Sequence, residues 1–186
     1  MQMDSKADTS EAVHSLARKQ RIVRLGIGVG LLSAGAIAGL AFALLPPAPV
    51  LPTVEQRVAF ALRCTLVASW TLVAGILAVA TKRFTSEAID PLSGVESPAL
   101  RIHARYLQNT LEQLVLFCIA SVALATLLKA EELKVLVVAT LVFVLGRVAF
   151  WIGYLKDPLL RIPGFNATFY TNVGMLLYAT YKLATR

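Results

Sequence analysis

The stretch "RYLQNTLE", from Arg105 to Glu112, opens the apolar run "QLVLFCIASVALATLL" and carries three groups capable of chemistry. Arg105, Asn109 and Glu112 stand at i, i+4 and i+7, which places them along one stripe of a helix. In "GRVAFWIGY", Arg147 and Tyr154 are likewise seven residues apart. A charge held within hydrocarbon costs roughly 2.5–3.5 kcal/mol on insertion scales, so such residues mark function by default. Glu112 lies seven residues, about 10 Å, beyond Arg105, and Arg147 lies eight residues, about 12 Å, before Leu155. On adjacent antiparallel helices these depths match, so Glu112 and Arg147 are expected to touch as a bidentate ion pair. Such a pair would lock a bundle without doing chemistry. With Arg101, His103 and Arg161 nearby, it would alternatively shape a site for an anion whose other half dissolves in lipid. Arg63, about two turns from the end of its own apolar run, reads as an anchor that snorkels toward water.

The elements that must hold these residues are transmembrane helices. Apolar side chains make up 57% of the 186 residues and charged ones only 16%, against about 25% charged in soluble domains. Leu25 to Leu45 runs 21 residues without a charge, enough to cross a hydrocarbon core of about 30 Å. Similar stretches cover 58–81, 107–128, 133–155 and 165–183, giving five expected spans. The first is too long for the apolar core of a cleaved signal peptide, which runs to about 7–15 residues. Residues 1–24 then form a polar cytoplasmic segment, possessing His14 as a solvated side chain, and 25–45 the first span. "LLPPAPVLPTVEQ" breaks that span with prolines, and Thr53 with Gln56 has the pattern of a capping box at the next helix start.

Charge sets the orientation. With a cytoplasmic N-terminus, the inner segments hold Lys6, Arg18, Lys19, Arg21, Arg24, Lys82, Arg83, Arg101, Arg105, Lys156 and Arg161. The outer ones hold Arg57, Lys129, Lys134, Lys182 and Arg186, so eleven cations face five, as the positive-inside rule expects. The net charge of +7 therefore reflects topology and anionic lipid. No aromatic-interleaved basic stripe points to nucleic acid. Cys64 and Cys118 fall at different depths and read as small core residues, not a disulfide. Gly26/Gly30 and Gly35/Gly39 have small-xxx-small spacing, a helix-packing signal, and lack the preceding strand that a dinucleotide fingerprint requires. No inverted repeat or broken helix pair suggests a transporter, and no metal ligand set is expected.

"RYLQNTLEQLVLF", "GRVAFWIGY" and "PGFNATFYTNVGMLLY" together resemble the MAPEG superfamily, membrane-associated proteins in eicosanoid and glutathione metabolism. The shared pattern is Arg-x-x-x-Asn-x-x-Glu on one helix and Arg with Tyr seven residues later on the next. Arg105, Asn109, Glu112, Arg147 and Tyr154 fit it, and the match runs from about Val58 to Leu183. The added helix before the family's four is similar to the mattrin-like, five-helix branch. The resemblance implies an all-α integral membrane protein: a four-helix left-handed bundle over 57–186 with one extra N-terminal transmembrane helix. It also implies a homotrimer that binds glutathione between subunits at the inner side through those five residues, with membrane lipid and a lipophilic small molecule as partners. In catalytic members an arginine near the start of the last helix activates the glutathione thiol, because the thiolate is the nucleophile. Here Phe165 aligns with that arginine and Asn166 with its hydroxyl neighbour. Gln108 and Phe150 fall where many catalytic members have a second arginine and a histidine. Arg161 and the Tyr170 hydroxyl are the remaining catalytic candidates. Two functions follow from the resemblance: a non-catalytic or unconventional member acting in membrane interaction or trafficking, or a glutathione-dependent transferase or peroxidase. The membrane would be a bacterial inner membrane or an endomembrane.

Overall fold

A computed structural model describes residues 2–90, 92 and 94–185, with side chains from Leu16 onward. His14 and Lys6 therefore lie outside the described side chains, and Arg186 outside the described residues. Five helices follow in order: α1 (Gln2–Leu44), α2 (Val54–Phe84), α3 (Pro98–Leu127), α4 (Lys134–Lys156) and α5 (Ile162–Ala184). Two short 3-10 turns, Glu87–Ile89 and Ala130–Leu133, lie in the connections. No strand occurs among the described residues.

Local chemistry sets the boundaries. α1 stops just before Pro46 and Pro47, neither of which can donate a helical hydrogen bond. Thr53 caps α2 as expected: its hydroxyl accepts from Gln56 N at 3.3 Å, and Gln56 Oε1 accepts from Thr53 N at 3.5 Å. Ser97 caps α3 by accepting from Leu100 N at 3.1 Å, with Pro98 in the first turn, where its missing N–H costs nothing. The polar segment before Leu25 continues α1 as helix.

Helices α2 to α5 pack as a four-helix unit, and α1 lies outside it against α4 and α5. At the end where α2 and α4 begin, the core is apolar, built around Phe117, Leu124, Leu136 and Phe143. Cations close the helix ends there. Lys134 Nζ donates to Phe42 O and Leu45 O, both at 2.6 Å, so α4 caps the C-terminus of α1. Arg57 Nε donates to Ala125 O at 3.1 Å near the end of α3. Lys182 bonds Glu132 at 2.7 Å. Each cation meets the negative end of a helix dipole or a carboxylate.

Four helices, spanning Leu16–Leu44, Val54–Phe84, Pro98–Leu127 and Ala130–Lys156, are long and apolar enough to cross a membrane. Their outer faces carry Leu32, Leu66, Trp70 and Leu77, each at least 60% exposed, a display that a soluble monomer would not tolerate. Helix α5 has 23 residues, about 35 Å of length, but Asn166, Thr168 and Asn172 dilute its apolarity. All three turn into the protein. The bundle is thus an all-α membrane protein, with four of the five expected spans met on length and composition.

Candidate functional site

The polar centre is Arg147, whose side chain is 0% exposed. Two close helix approaches put it there. A Cβ on Gly164 would collide with Phe150 N, and one on Gly146 would lie 2.7 Å from Thr168 Cγ2. Only glycine lets α5 start this close to α4, and one turn later Thr168 comes to lie against the guanidinium. Arg147 Nη1 donates to Asn109 Oδ1 at 2.7 Å, and Nη2 donates to Thr168 Oγ1 and, at 3.5 Å, to Gly164 O. The Thr168 hydroxyl in turn donates to the backbone, with Phe165 O at 3.0 Å. The guanidinium lies 4.7 Å from the Phe150 ring centroid. Among the described residues Arg147 Nε has no hydrogen-bond partner.

The expected Glu112–Arg147 pair does not form. Among the described residues the ion pairs are Arg83–Glu96 and Lys182–Glu132. Glu112 is exposed and accepts from Gln108 Nε2 at 3.0 Å. The depths do match, but the directions do not. At about 100° per residue, Tyr106, Thr110, Gln113 and Phe117 define the buried face of α3. Asn109 stands at the edge of that face, and Glu112 lies about 60° further round, outside it. The neutral amide, not the carboxylate, therefore reaches Arg147.

Asn109 also lines a pocket of about 240 Å³ with Arg161, Ile162 and Phe165, at the end of the bundle where α5 begins. The Arg161 guanidinium stacks 4.7 Å above the Tyr154 ring. The fold thus brings together Asn109, Arg147, Tyr154 and Arg161. Arg105 and Glu112 remain exposed on the outer stripe of α3. Tyr170 is not near Arg161: it lines a separate groove between α1 and α4 with Leu31, Ala34 and Val138. Asn166 donates to Ile162 O at 2.8 Å and packs near Gly30 of α1.

Thr168 escaped the sequence reading, although Gly164-x-x-x-Thr168 carries the same small-residue spacing that flagged the α1 glycines. The aromatic cluster beside the site also escaped it. Tyr106 stacks on Trp151 at 4.3 Å and donates to Thr71 O at 3.0 Å, and Trp151 Nε1 donates to His103 Nδ1 at 3.1 Å. Cys64 and Cys118 are free thiols. Among the described residues no cluster of His, Cys, Asp and Glu could hold a metal ion.

Chemically, the pocket offers the guanidinium of Arg161 and the amide of Asn109, with the Arg147 charge directly behind. That donor set suits a carboxylate. Among the described residues that line the pocket, Arg161 is the one that could lower the pKa of a thiol.

The MAPEG family pattern matches residues 60–181, well over half of the chain. Transmembrane protein 79 of Bos taurus is 29% identical over 158 residues, covering 84% of this chain and 40% of that protein. Transmembrane protein 79 of Mus musculus is 29% identical over 144 residues, covering 77% and 37% respectively. The chain thus spans about two-fifths of the length of these curated relatives. No solved structure matches.

Proposed function

The chain belongs to the MAPEG family, and from that premise we propose that it is a membrane-embedded anion-binding protein that does not activate a thiol. Its ligand is glutathione or a similar carboxylate-bearing molecule, seated at the pocket of Asn109 and Arg161. One observation carries this reading: a fully buried guanidinium, Arg147, compensated by an amide, a hydroxyl and a carbonyl and, among the described residues, by no carboxylate. A buried charge with neutral partners but no counter-ion is expensive, and an anion in the adjoining pocket offsets it through Asn109. The pocket is small beside the roughly 300–1,000 Å³ of typical ligand sites, as expected if a neighbouring copy in a homotrimer completes it. Phe165, facing the pocket where the resemblance calls for an arginine, favours binding without turnover. The role is then membrane interaction or trafficking, with a lipophilic small molecule as a further ligand, the N-terminus on the cytoplasmic side and α5 as the fifth span.

A specific observation supports the second reading, a glutathione-dependent transferase or peroxidase. Arg161 lines the pocket, four residues from the position of the family's activating arginine. Calorimetry of glutathione on detergent-purified protein, with thiolate followed by absorbance, separates the two. Binding without thiolate, lost in Arg161→Gln, is expected. A thiolate signal abolished by the same substitution would establish the transferase, and no heat of binding would end both readings.

A further inference from the structure

Near the end where α2 and α4 begin, a groove of about 370 Å³ runs between these two helices, bounded by Phe60, Val67, Val137, Leu141 and Val144, with Arg63 at its edge. The nearby cations Arg57, Lys134 and Lys182 each close on a protein acceptor. Arg63 does not: it is exposed and, among the described residues, has no hydrogen bond, ion pair or ring contact. It lies nine residues into α2, about 14 Å along the axis, within an otherwise apolar stretch. The one hydroxyl in the groove, Thr140 Oγ1, is already spent on Leu136 O at 2.7 Å. A guanidinium without a protein partner among the described residues, at the edge of an apolar trough, is half of a recognition site.

We propose that this groove binds one phospholipid with an anionic headgroup, from the membrane leaflet next to the start of α2. Side chains on a helix tilt toward its N-terminus, so Arg63 points toward that leaflet's headgroups and away from the bilayer centre. Its planar fork matches two phosphate oxygens. Because α2 and α4 run in the same direction, Val67 and Val144 lie deeper than Arg63, with Leu141 near its level, and the first part of an acyl chain would follow that line. The site stands at the opposite end of the bundle from Arg161, so it does not depend on the glutathione reading.

The test uses the full chain in detergent, titrated separately with dioleoyl phosphatidylglycerol, dioleoyl phosphatidylcholine and inorganic phosphate, with bound lipid read by native mass spectrometry. Phosphatidylglycerol is expected to bind at least tenfold more tightly than phosphatidylcholine, and inorganic phosphate not at all. Arg63→Gln should remove that preference and Arg63→Lys retain part of it. Leu141→Trp should block the groove and lose the lipid with Arg63 intact. Equal binding of the two lipids, or full phosphatidylglycerol binding by Arg63→Gln, would overturn the proposal. Saturation by free phosphate would make this an ion site, and a change of oligomer size in Arg63→Gln without any lipid effect would make it an interface between copies. Either result also rejects the lipid.

Discussion

Arg147 and Glu112 show how an intramembrane charge is tolerated in two ways. Arg147 stays buried because three neutral oxygens and an aromatic face surround it. Glu112 avoids burial by standing about 60° away from the inward face of α3, bonded to Gln108. The two therefore differ in what mutation costs. Replacing Asn109 with Leu strips a hydrogen bond from a buried cation and should destabilise the protein by about 2 kcal/mol. Replacing Glu112 with Gln should change stability by no more than about 0.5 kcal/mol, the range of exposed positions, where a buried ion pair would have cost about 3–5 kcal/mol. Equilibrium unfolding of the purified variants in one detergent checks both, and a large loss in Glu112→Gln would contradict the geometry.

Helices meet here through glycine. At Gly164 an added Cβ would strike Phe150 N and lie 2.6 Å from Gly146 O. Both obstacles are backbone, so α4 and α5 would have to part. Gly164→Ala should cost about 3 kcal/mol, the upper end of overpacking penalties, and should also pull Thr168 off Arg147. The α1 glycines divide. Gly26 and Gly30 pack against Ile162, Pro163 and Asn166, as their spacing suggested, whereas a Cβ on Gly35 or Gly39 would meet nothing within 4 Å. Gly35→Ala should therefore be neutral or stabilise by up to about 1 kcal/mol through helix propensity. Thermal unfolding of the two variants side by side tests the distinction; equal losses would show that α1 packs differently.

Across the assembled bundle, direction of crossing is what gives the two ends their meaning. If α5 crosses as a fifth span, the N- and C-termini lie on opposite sides of the membrane. Reporter fusions at both termini and in the loop after Lys156 test this: the N-terminus and that loop should report the same side and the C-terminus the other. Termini on one side would make α5 a helix that does not cross. The cation count pointed to a cytoplasmic N-terminus, and the structure explains much of the outer minority. Arg57, Lys134 and Lys182 bond helix ends or Glu132, so their places follow from packing. They say little about topology.

Composition and periodicity were enough to read a helical membrane protein, its first four spans and the cap at Thr53, because each depends on hydrophobicity, spacing or local motif within one segment; the family came from the resemblance of three motifs on separate helices. Spacing also picked Arg147 as a centrally placed charge, with Glu112 as its expected partner and Asn109 on the same stripe as Glu112. Which partner met Arg147 was not legible. Depth follows from counting residues along a helix, but the rotation of α3 about its axis is set by where Tyr106, Thr110 and Phe117 pack. That rotation chose Asn109 over Glu112, and the contact between Gly146 and Gly164 brought Thr168, some twenty residues along the chain, to the same guanidinium.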